Sequence, residues 1–225
     1  MLEIQEIEKN RFPKKTHLYY CYQAMLDLYK SIKWVCFRED ALNDDNVQIY
    51  ERNYIISLTS MLCKKSPKVS GIINGEVAKS LDSGSDEFKK EYVKIKKKIN
   101  PKVEPSNYIF PDFLIHESHS TERAEWTNEK QHIIIEAKTK ILSDKKMFFL
   151  DFLKLNFYLG ELNFENAIYI IVRTPLSTIK EYLSKYEKEV KYLHAERLES
   201  MYFFIQETLE SEPKIYSITS KKTNN

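Results

Sequence analysis

The chain has 225 residues and a mass of 26.8 kDa; 42% of its residues are hydrophobic, 30% charged and 13% aromatic. These proportions, with a formal net charge of +2, exclude collagen-like, disordered and multi-span membrane proteins. The four glycines are too few and too scattered to form a G-x-G-x-x-G dinucleotide fingerprint or a P-loop. We therefore expect one α/β domain over residues 1–225 that binds no nucleotide in those two ways.

The cysteines and the apolar runs bear on cellular location. Cys21, Cys36 and Cys63 are odd in number and widely spaced, which argues against a disulfide framework or a cysteine zinc site. No apolar run is long enough to cross a bilayer, and residues 1–15 lack the apolar segment of a secretory signal. These features predict a cytoplasmic protein that does not enter a membrane.

The N-terminal half of the sequence predicts mainly helices. Apolar residues at three- and four-residue steps predict helices at 16–34 and at about 47–63. Residues 69–81 are predicted to form a kinked strand, followed by a lysine-rich amphipathic helix at 85–99.

The middle of the chain predicts a sheet with a crossover. Short β-branched and aromatic runs at 108–116 and 132–138 predict two paired strands joined by a long loop. An apolar helix at 145–159 and a strand buried on both faces at 167–172 then predict a βαβ crossover.

The C-terminal part predicts one more helix and two edge strands. Thr178 and Glu181 have the spacing of a capping box for a helix that continues to about Leu198. The sequences MYFFIQ and KIYSIT, at 201–206 and 214–219, predict the edge strands.

Charged residues stand where core residues are expected, at the ends of two strands. Alternation places Glu136 and Lys138 on the same face of the strand that contains three successive isoleucines. Asp112 interrupts the apolar run of the preceding strand directly after Pro111, and aspartate is among the poorest strand formers. The sequence therefore predicts that these three charged side chains lie close together and form a functional site.

Two further carboxylates fit the same site. Glu51 continues the buried stripe of the second helix, and Glu76 lies within the predicted strand at 69–81. Four acids and one lysine at the end of a sheet would form an oxygen-rich site suited to Mg²⁺, with the lysine available to a phosphate.

Simpler interpretations exist for each of these residues. Glu136 and Lys138 are also consistent with an ion pair on an edge strand, and Asp112 with a turn after proline. Glu51 would be a surface acid if the helical stripe were rotated by one residue.

Taken together, these residues resemble the motif of the PD-(D/E)XK nuclease superfamily, which has the restriction-endonuclease-like fold. Pro111-Asp112 matches the PD half of the motif, and Glu136-Ala137-Lys138 matches the (D/E)XK half. The order of predicted elements over about 47–172 matches the common core of that fold. Residues 1–46 would then be a helical N-terminal elaboration, and 173–220 an additional helix and strands.

Some uncharacterised bacterial members of the superfamily are similar over more positions. They share E-R-x-x-x-x-x-L on a helix, here from Glu51 to Leu58, and a strand glutamate, here Glu76. They also share P-D-x-x-x-H, here from Pro111 to His116, and D-x-x-K-L on the next helix, here from Asp151 to Leu155.

The resemblance implies a Mg²⁺-dependent nuclease in which Mn²⁺ can replace Mg²⁺. Asp112, Glu136 and the carbonyl of Ala137 would bind the metal with help from Glu76 or Glu51. Lys138 would orient or deprotonate the attacking water and stabilise the phosphate in an in-line hydrolysis.

Nucleic acid, DNA in preference to RNA, is the predicted partner. Residues 64–102 contain eleven lysines against five acids, which favours a polyanion or is simply a solvated lysine face. Phosphate contacts are predicted for five lysines: Lys94, Lys97, Lys145, Lys146 and Lys154. A homodimer formed through the tail strands and an unidentified protein partner are further predictions. The alternative function is a non-catalytic nucleic-acid-binding or protein-interaction module with the same fold.

Overall fold

The structure, a computed structural model, describes a defined part of the chain. It covers residues 2–35, 51–65, 72–75, 79–102, 104, 106–116, 131–139 and 142–220. Two predicted features lie outside these residues: Glu76, and the long loop between the strands predicted at 108–116 and 132–138.

A mixed sheet of seven strands organises the described residues. The strands are β1 (Leu2–Glu6), β2 (Ile72–Gly75), β5 (Phe113–His116), β6 (Gln131–Lys138), β7 (Asn166–Val172), β8 (Met201–Gln206) and β9 (Lys214–Ser220). Their order across the sheet is β1-β9-β8-β7-β6-β5-β2. The central strands β6, β7 and β8 run parallel, and every other neighbouring pair is antiparallel. Two short strands, β3 (Lys79–Ser80) and β4 (Tyr108–Ile109), form a separate small sheet.

Helices cover both faces of the large sheet. They are α1 (His17–Val35), α2 (Glu51–Lys65), α3 (Asp86–Ile99), α4 (Lys145–Gly160) and α5 (Leu176–Glu189). Apolar side chains of α1 and α2 form one core with one face of the sheet. The helices α3, α4 and α5 form a second core with the other face.

Strand β6 lies at the centre of this arrangement because its side chains are apolar on both faces. Ile133 and Ile135 belong to the core beneath α1 and α2, whereas Ile134 belongs to the core beneath α4. A strand buried on both faces is typical of parallel strands under crossover helices, and α4 makes that connection from β6 to β7. The predicted βαβ crossover is confirmed, as is the mixed sheet flanked by helices.

Several predicted elements have different bounds. The tail strands β8 and β9 are interior strands and not edge strands, because β1 pairs with β9 along its whole length. The helix predicted to reach Leu198 ends at Glu189, and a 3₁₀ helix, Ala195–Ser200, follows later. The N-cap residue of α5 is Pro175 and not Thr178, so the predicted capping box of Thr178 and Glu181 is wrong.

Two predicted strands are each divided between the two sheets. The strand predicted at 69–81 is described as β2 and β3, and the strand predicted at 108–116 as β4 and β5. Pro111, which has no N–H group to donate, lies in the second break. The residue after this proline, Asp112, therefore enters β5 at the same end of the sheet at which β6 finishes.

Candidate active site

The carboxyl end of β6 presents two charged side chains to the interior of the protein. Glu136 is completely buried, and Lys138 is half-buried at the last position of the strand. Glu136 lies beside Tyr169 of the neighbouring strand β7. A buried carboxylate is expensive unless cations or hydrogen-bond donors surround it, so the neighbours of Glu136 determine what this end of the strand can do.

Asp112 caps the same end of β6 from the antiparallel neighbour β5. Its Oδ2 atom accepts a hydrogen bond of 2.7 Å from the backbone N–H of Ala137. This contact fixes the aspartate carboxylate next to the backbone between Glu136 and Lys138. The predicted proximity of Asp112 to the E-x-K segment is therefore present in the structure.

Lys138 joins two helices on opposite faces of the sheet. Its Nζ atom lies 3.1 Å from Oε1 of Glu51 on α2 and 3.2 Å from Oδ2 of Asp151 on α4. It also donates to the backbone carbonyl of Ala137 at 3.1 Å. This ammonium group therefore has three oxygen partners, which hold it at the end of the strand.

Lys154 lies at the centre of the site. Its Nζ atom is 2.7 Å from Oε2 of Glu136 and 3.2 Å from Oδ1 of Asp151, one turn earlier on α4. The hydroxyl of Tyr169 donates to Oδ2 of Asp151 at 3.1 Å. Asp151 thus holds both lysines in position while its own charge is compensated.

These residues form what we call the charged cluster, which consists of Glu51, Asp112, Glu136, Lys138, Asp151 and Lys154. Its four carboxylates and two ammonium groups carry a formal charge of −2 when all are ionised. Charges in a site of low polarity interact strongly, and a net charge of −2 is compensated by a single divalent cation.

The pKa values of the cluster reflect burial and this excess of acid. Burial, with Asp112 and Asp151 nearby, raises the pKa of Glu136 well above its usual range despite Lys154 beside it. Burial also raises the pKa of Glu51. For Asp151 the two lysines outweigh burial, and its pKa falls below the ordinary value.

The pKa values of the two lysines of the cluster shift in the direction opposite to the one that burial alone would cause. Burial disfavours their charged forms, but the surrounding carboxylates raise the pKa values of Lys138 and Lys154 above the ordinary value. Both side chains are therefore positively charged at neutral pH.

One oxygen of the cluster is suited to binding a cation. Oε1 of Glu136 is buried and has no hydrogen-bond partner among the described residues, although Oε2 of the same carboxylate is paired with Lys154. Carboxylate and carbonyl oxygens are the ligands that Mg²⁺ prefers. The donor set and this unsatisfied oxygen fit a Mg²⁺ ion, which would be bound by Glu136 and Asp112.

The structure brings together most of the predicted metal-site residues. Asp112 accepts from the N–H of Ala137, and Lys138 contacts both the carbonyl of Ala137 and Glu51. Glu136 interacts electrostatically with Asp112 and Lys138. Glu76 lies outside the described residues, so its predicted metal role stays a prediction.

The predicted phosphate-binding lysines occupy different environments. Lys154 belongs to the charged cluster, and with its side chain only 12% exposed it is not a surface lysine. Lys145 pairs with Glu189, Lys146 donates to the carbonyl of Lys98, and Lys94 pairs with Glu91. Lys97 is exposed on the last turn of α3.

Asp151 is the cluster residue that the sequence-based assignment did not place in the site. Its signal was present, because Asp151 and Lys154 are the two charged side chains within the apolar body of α4. Their spacing of three residues puts them on one face of the helix. A buried helix with two opposite charges on one face indicates that a charged partner packs against it.

None of the helices in the described part of the chain is both long and apolar enough to cross a membrane. Comparisons of the chain with family models, with curated proteins and with solved structures found no match.

Proposed function

We propose that the protein is a metal-dependent nuclease of the restriction-endonuclease-like fold that hydrolyses phosphodiester bonds in nucleic acid. The observation that carries this proposal is the convergence of Asp112, Glu136 and Lys138 at the carboxyl end of one central strand. Two adjacent carboxylates can bind a metal ion, and a lysine beside them can stabilise negative charge on a phosphate.

The acidic residues of the cluster would hold the metal. Asp112 and Glu136 are its ligands, and Glu51 is close enough to Lys138 to balance that lysine's charge. When bound, Mg²⁺ supplies a water of lowered pKa and neutralises charge that develops on the phosphate.

Lys138 would act on the phosphate and the attacking water. Its ammonium group is held by Glu51 and Asp151 on either side, and these contacts restrict its motion. A fixed positive charge beside the metal ligands stabilises an increase of negative charge in the transition state without reorganisation. The neighbouring carboxylates raise the pKa of Lys138, which suits a positively charged side chain that stabilises the phosphate.

DNA is the proposed substrate in preference to RNA, on the basis of the motif resemblance, and the proposed location is the cytoplasm. Exposed Lys97 and the neighbouring Lys98 at the end of α3 supply positive charge for a polyanion.

The proposal is tested by cleavage assays with the full chain. The purified protein is incubated with linear and circular DNA, single-stranded DNA and RNA, in Mg²⁺, in Mn²⁺ and in EDTA. Asp112→Ala and Lys138→Ala are assayed in parallel with the matched surface variants Asp82→Ala and Lys214→Ala, which lie outside the cluster.

We expect metal-dependent cleavage by the wild type and the surface variants, and its loss in both cluster variants. Cleavage that persists in Asp112→Ala and Lys138→Ala would contradict the proposal. Salt-sensitive DNA binding that ignores EDTA, without cleavage of any substrate, would instead support the non-catalytic binding module.

A further inference from the structure

A second group of metal-binding side chains lies at the opposite end of β6. His132 is the second residue of that strand, His17 is the first residue of α1, and Glu165 immediately precedes β7. Their ligand atoms all lie within 4.8 Å of one another. His132 and Glu136 are four positions apart, about 13 Å along an extended strand, so this group is distinct from the charged cluster.

The three side chains already face one another. The imidazole rings of His17 and His132 stack with a centroid separation of 4.2 Å and an interplanar angle of 20°. Nδ1 of His132 lies 3.2 Å from Oε2 of Glu165. Two protonated imidazoles at this separation would repel each other, whereas two neutral ones can bind the same cation.

Local hydrogen bonds hold the segments next to these residues. The N–H of Glu165 donates to the carbonyl of Gln131 at 2.9 Å, which ties the start of β7 to the start of β6. The side chain of Thr16 accepts from the N–H of Tyr19 and so caps the first turn of α1 next to His17. A preformed backbone lowers the entropic cost of assembling a metal site.

We propose that His17, His132 and Glu165 form a binding site for a divalent transition metal of the Zn²⁺ type. Two imidazoles and one carboxylate are a donor set that Zn²⁺ accepts, and three protein ligands leave the fourth tetrahedral position to water. The set lacks the oxygen-rich character that Mg²⁺ requires. The proposal does not depend on the nuclease function.

Binding requires side chains to move. The nitrogen lone pairs lie in the ring planes, so the half-buried ring of His17 has to turn out of the stack before both rings point at one metal. Ligand atoms of a tetrahedral Zn²⁺ site lie about 3.3 Å apart, as follows from metal–ligand distances of about 2.0 Å. His132 is buried and therefore held, whereas the Glu165 side chain is 47% exposed and can rotate towards the two rings. The bound metal would link α1 to β6 and β7, which are far from α1 in sequence, and would stabilise the fold by closing a long loop.

The test measures metal binding by the full chain and not catalysis. The protein is freed of metal with a chelator and titrated with Co²⁺, whose visible absorption reports tetrahedral nitrogen and oxygen ligands, and with Zn²⁺ in a thermal denaturation assay. The variants are His132→Asn and Glu165→Gln. The second is a conservative change at an exposed position, which tests the site even where His132→Asn lowers stability.

Two controls separate this site from other metal-binding groups. His194→Asn removes a histidine that also contacts carboxylates, Glu196 at 2.9 Å and Glu161 at 3.9 Å, but has no second histidine as a neighbour in the described chain. Glu136→Gln removes the central carboxylate of the charged cluster.

We expect one equivalent of tetrahedral Co²⁺ and an increase in melting temperature of about 5–10 °C at a free Zn²⁺ concentration of about 100 Kd. Both effects should be lost in His132→Asn and Glu165→Gln and kept in His194→Asn and Glu136→Gln. Absence of saturable binding in the wild type, or binding that survives in Glu165→Gln and His132→Asn, would overturn the proposal and leave His132 and Glu165 as a simple ion pair.

Discussion

The two ends of β6 place different chemistry on the same strand. At the carboxyl end, four carboxylates and two lysines form the buried charged cluster. At the amino end, two stacked imidazoles meet one partly exposed carboxylate. The first set of donors is suited to Mg²⁺ and phosphate, and the second to a transition metal.

The difference between the two ends shows that a fully buried carboxylate needs more neighbouring positive charge than a partly exposed one. Glu136 is completely buried, so it requires nearby cations, and Lys154 and Lys138 supply them. At the other end, a single carboxylate whose side chain is 47% exposed, that of Glu165, lies beside the two stacked imidazoles.

Replacement of Glu136 by glutamine should remove nuclease activity and leave the histidine site intact. The amide has nearly the same shape but no negative charge for the metal, so we expect cleavage to fall by about 100-fold or more. The measurement is the rate of DNA cleavage in Mg²⁺, with Glu6→Gln on the exposed edge strand β1 as control. Equal rates for Glu136→Gln and Glu6→Gln would refute the assignment of Glu136.

Replacement of Lys154 by methionine should destabilise the fold strongly. The change leaves Glu136 and Asp151 buried with one ammonium group instead of two, and we expect the free energy of unfolding to fall by about 3–5 kcal/mol. Urea denaturation measures the change. The exposed pair of Lys214 and Glu6 provides the control, since Lys214→Met should cost at most about 1 kcal/mol.

A double variant sharpens this prediction. In Glu136→Gln the carboxylate that Lys154 compensates is absent, so the further loss caused by Lys154→Met should be smaller than in the wild type. If Lys154→Met costs the same in both backgrounds, the two side chains do not interact as the structure describes.

The affinity of the charged cluster for Mg²⁺ should depend on pH. Burial raises the pKa of Glu136, and only the ionised carboxylate binds the metal. The fraction of ionised Glu136 therefore falls as the pH falls towards its raised pKa, so Mg²⁺ affinity should decrease at pH values where an ordinary glutamate, with a pKa of about 4.3, is still ionised. Calorimetric titration from about pH 5 to pH 8 measures this, and an affinity that is constant over the whole range would contradict the raised pKa.

Replacement of Lys97 by alanine should have the smallest effect. This lysine is exposed in the last turn of α3 and is not one of the residues of the charged cluster or of the histidine site. Only DNA affinity should therefore change. Loss of one phosphate contact reduces the slope of log affinity against log salt by about 1. Lys214→Ala, an exposed lysine on β9 outside residues 64–102, is the control, and identical slopes for the two variants would exclude a phosphate contact of Lys97.

The central strands and their charged ends could be predicted from sequence because their signals are local. Three successive isoleucines predicted β6, and Glu136 and Asp112 were conspicuous as acids within apolar runs. The alternation of side chains in a strand then indicated that Glu136 and Lys138 share a face.

Other features depend on pairing between distant parts of the chain. Strand β1 is short and pairs with β9 at the far end of the sequence, so nothing in residues 2–6 alone indicated that the tail strands would become interior strands. The same reason hid the histidine site, because His17, His132 and Glu165 are each unremarkable until the sheet and α1 bring them together.

Calorimetric titration of Mg²⁺ into the metal-free protein shows directly whether the charged cluster binds a metal, because it needs no substrate. The wild type, Glu136→Gln and His132→Asn are compared under the same conditions. We predict one Mg²⁺ per chain in the wild type and in His132→Asn, and none in Glu136→Gln. Equal Mg²⁺ binding by the wild type and Glu136→Gln would contradict the claim that the charged cluster is the metal site.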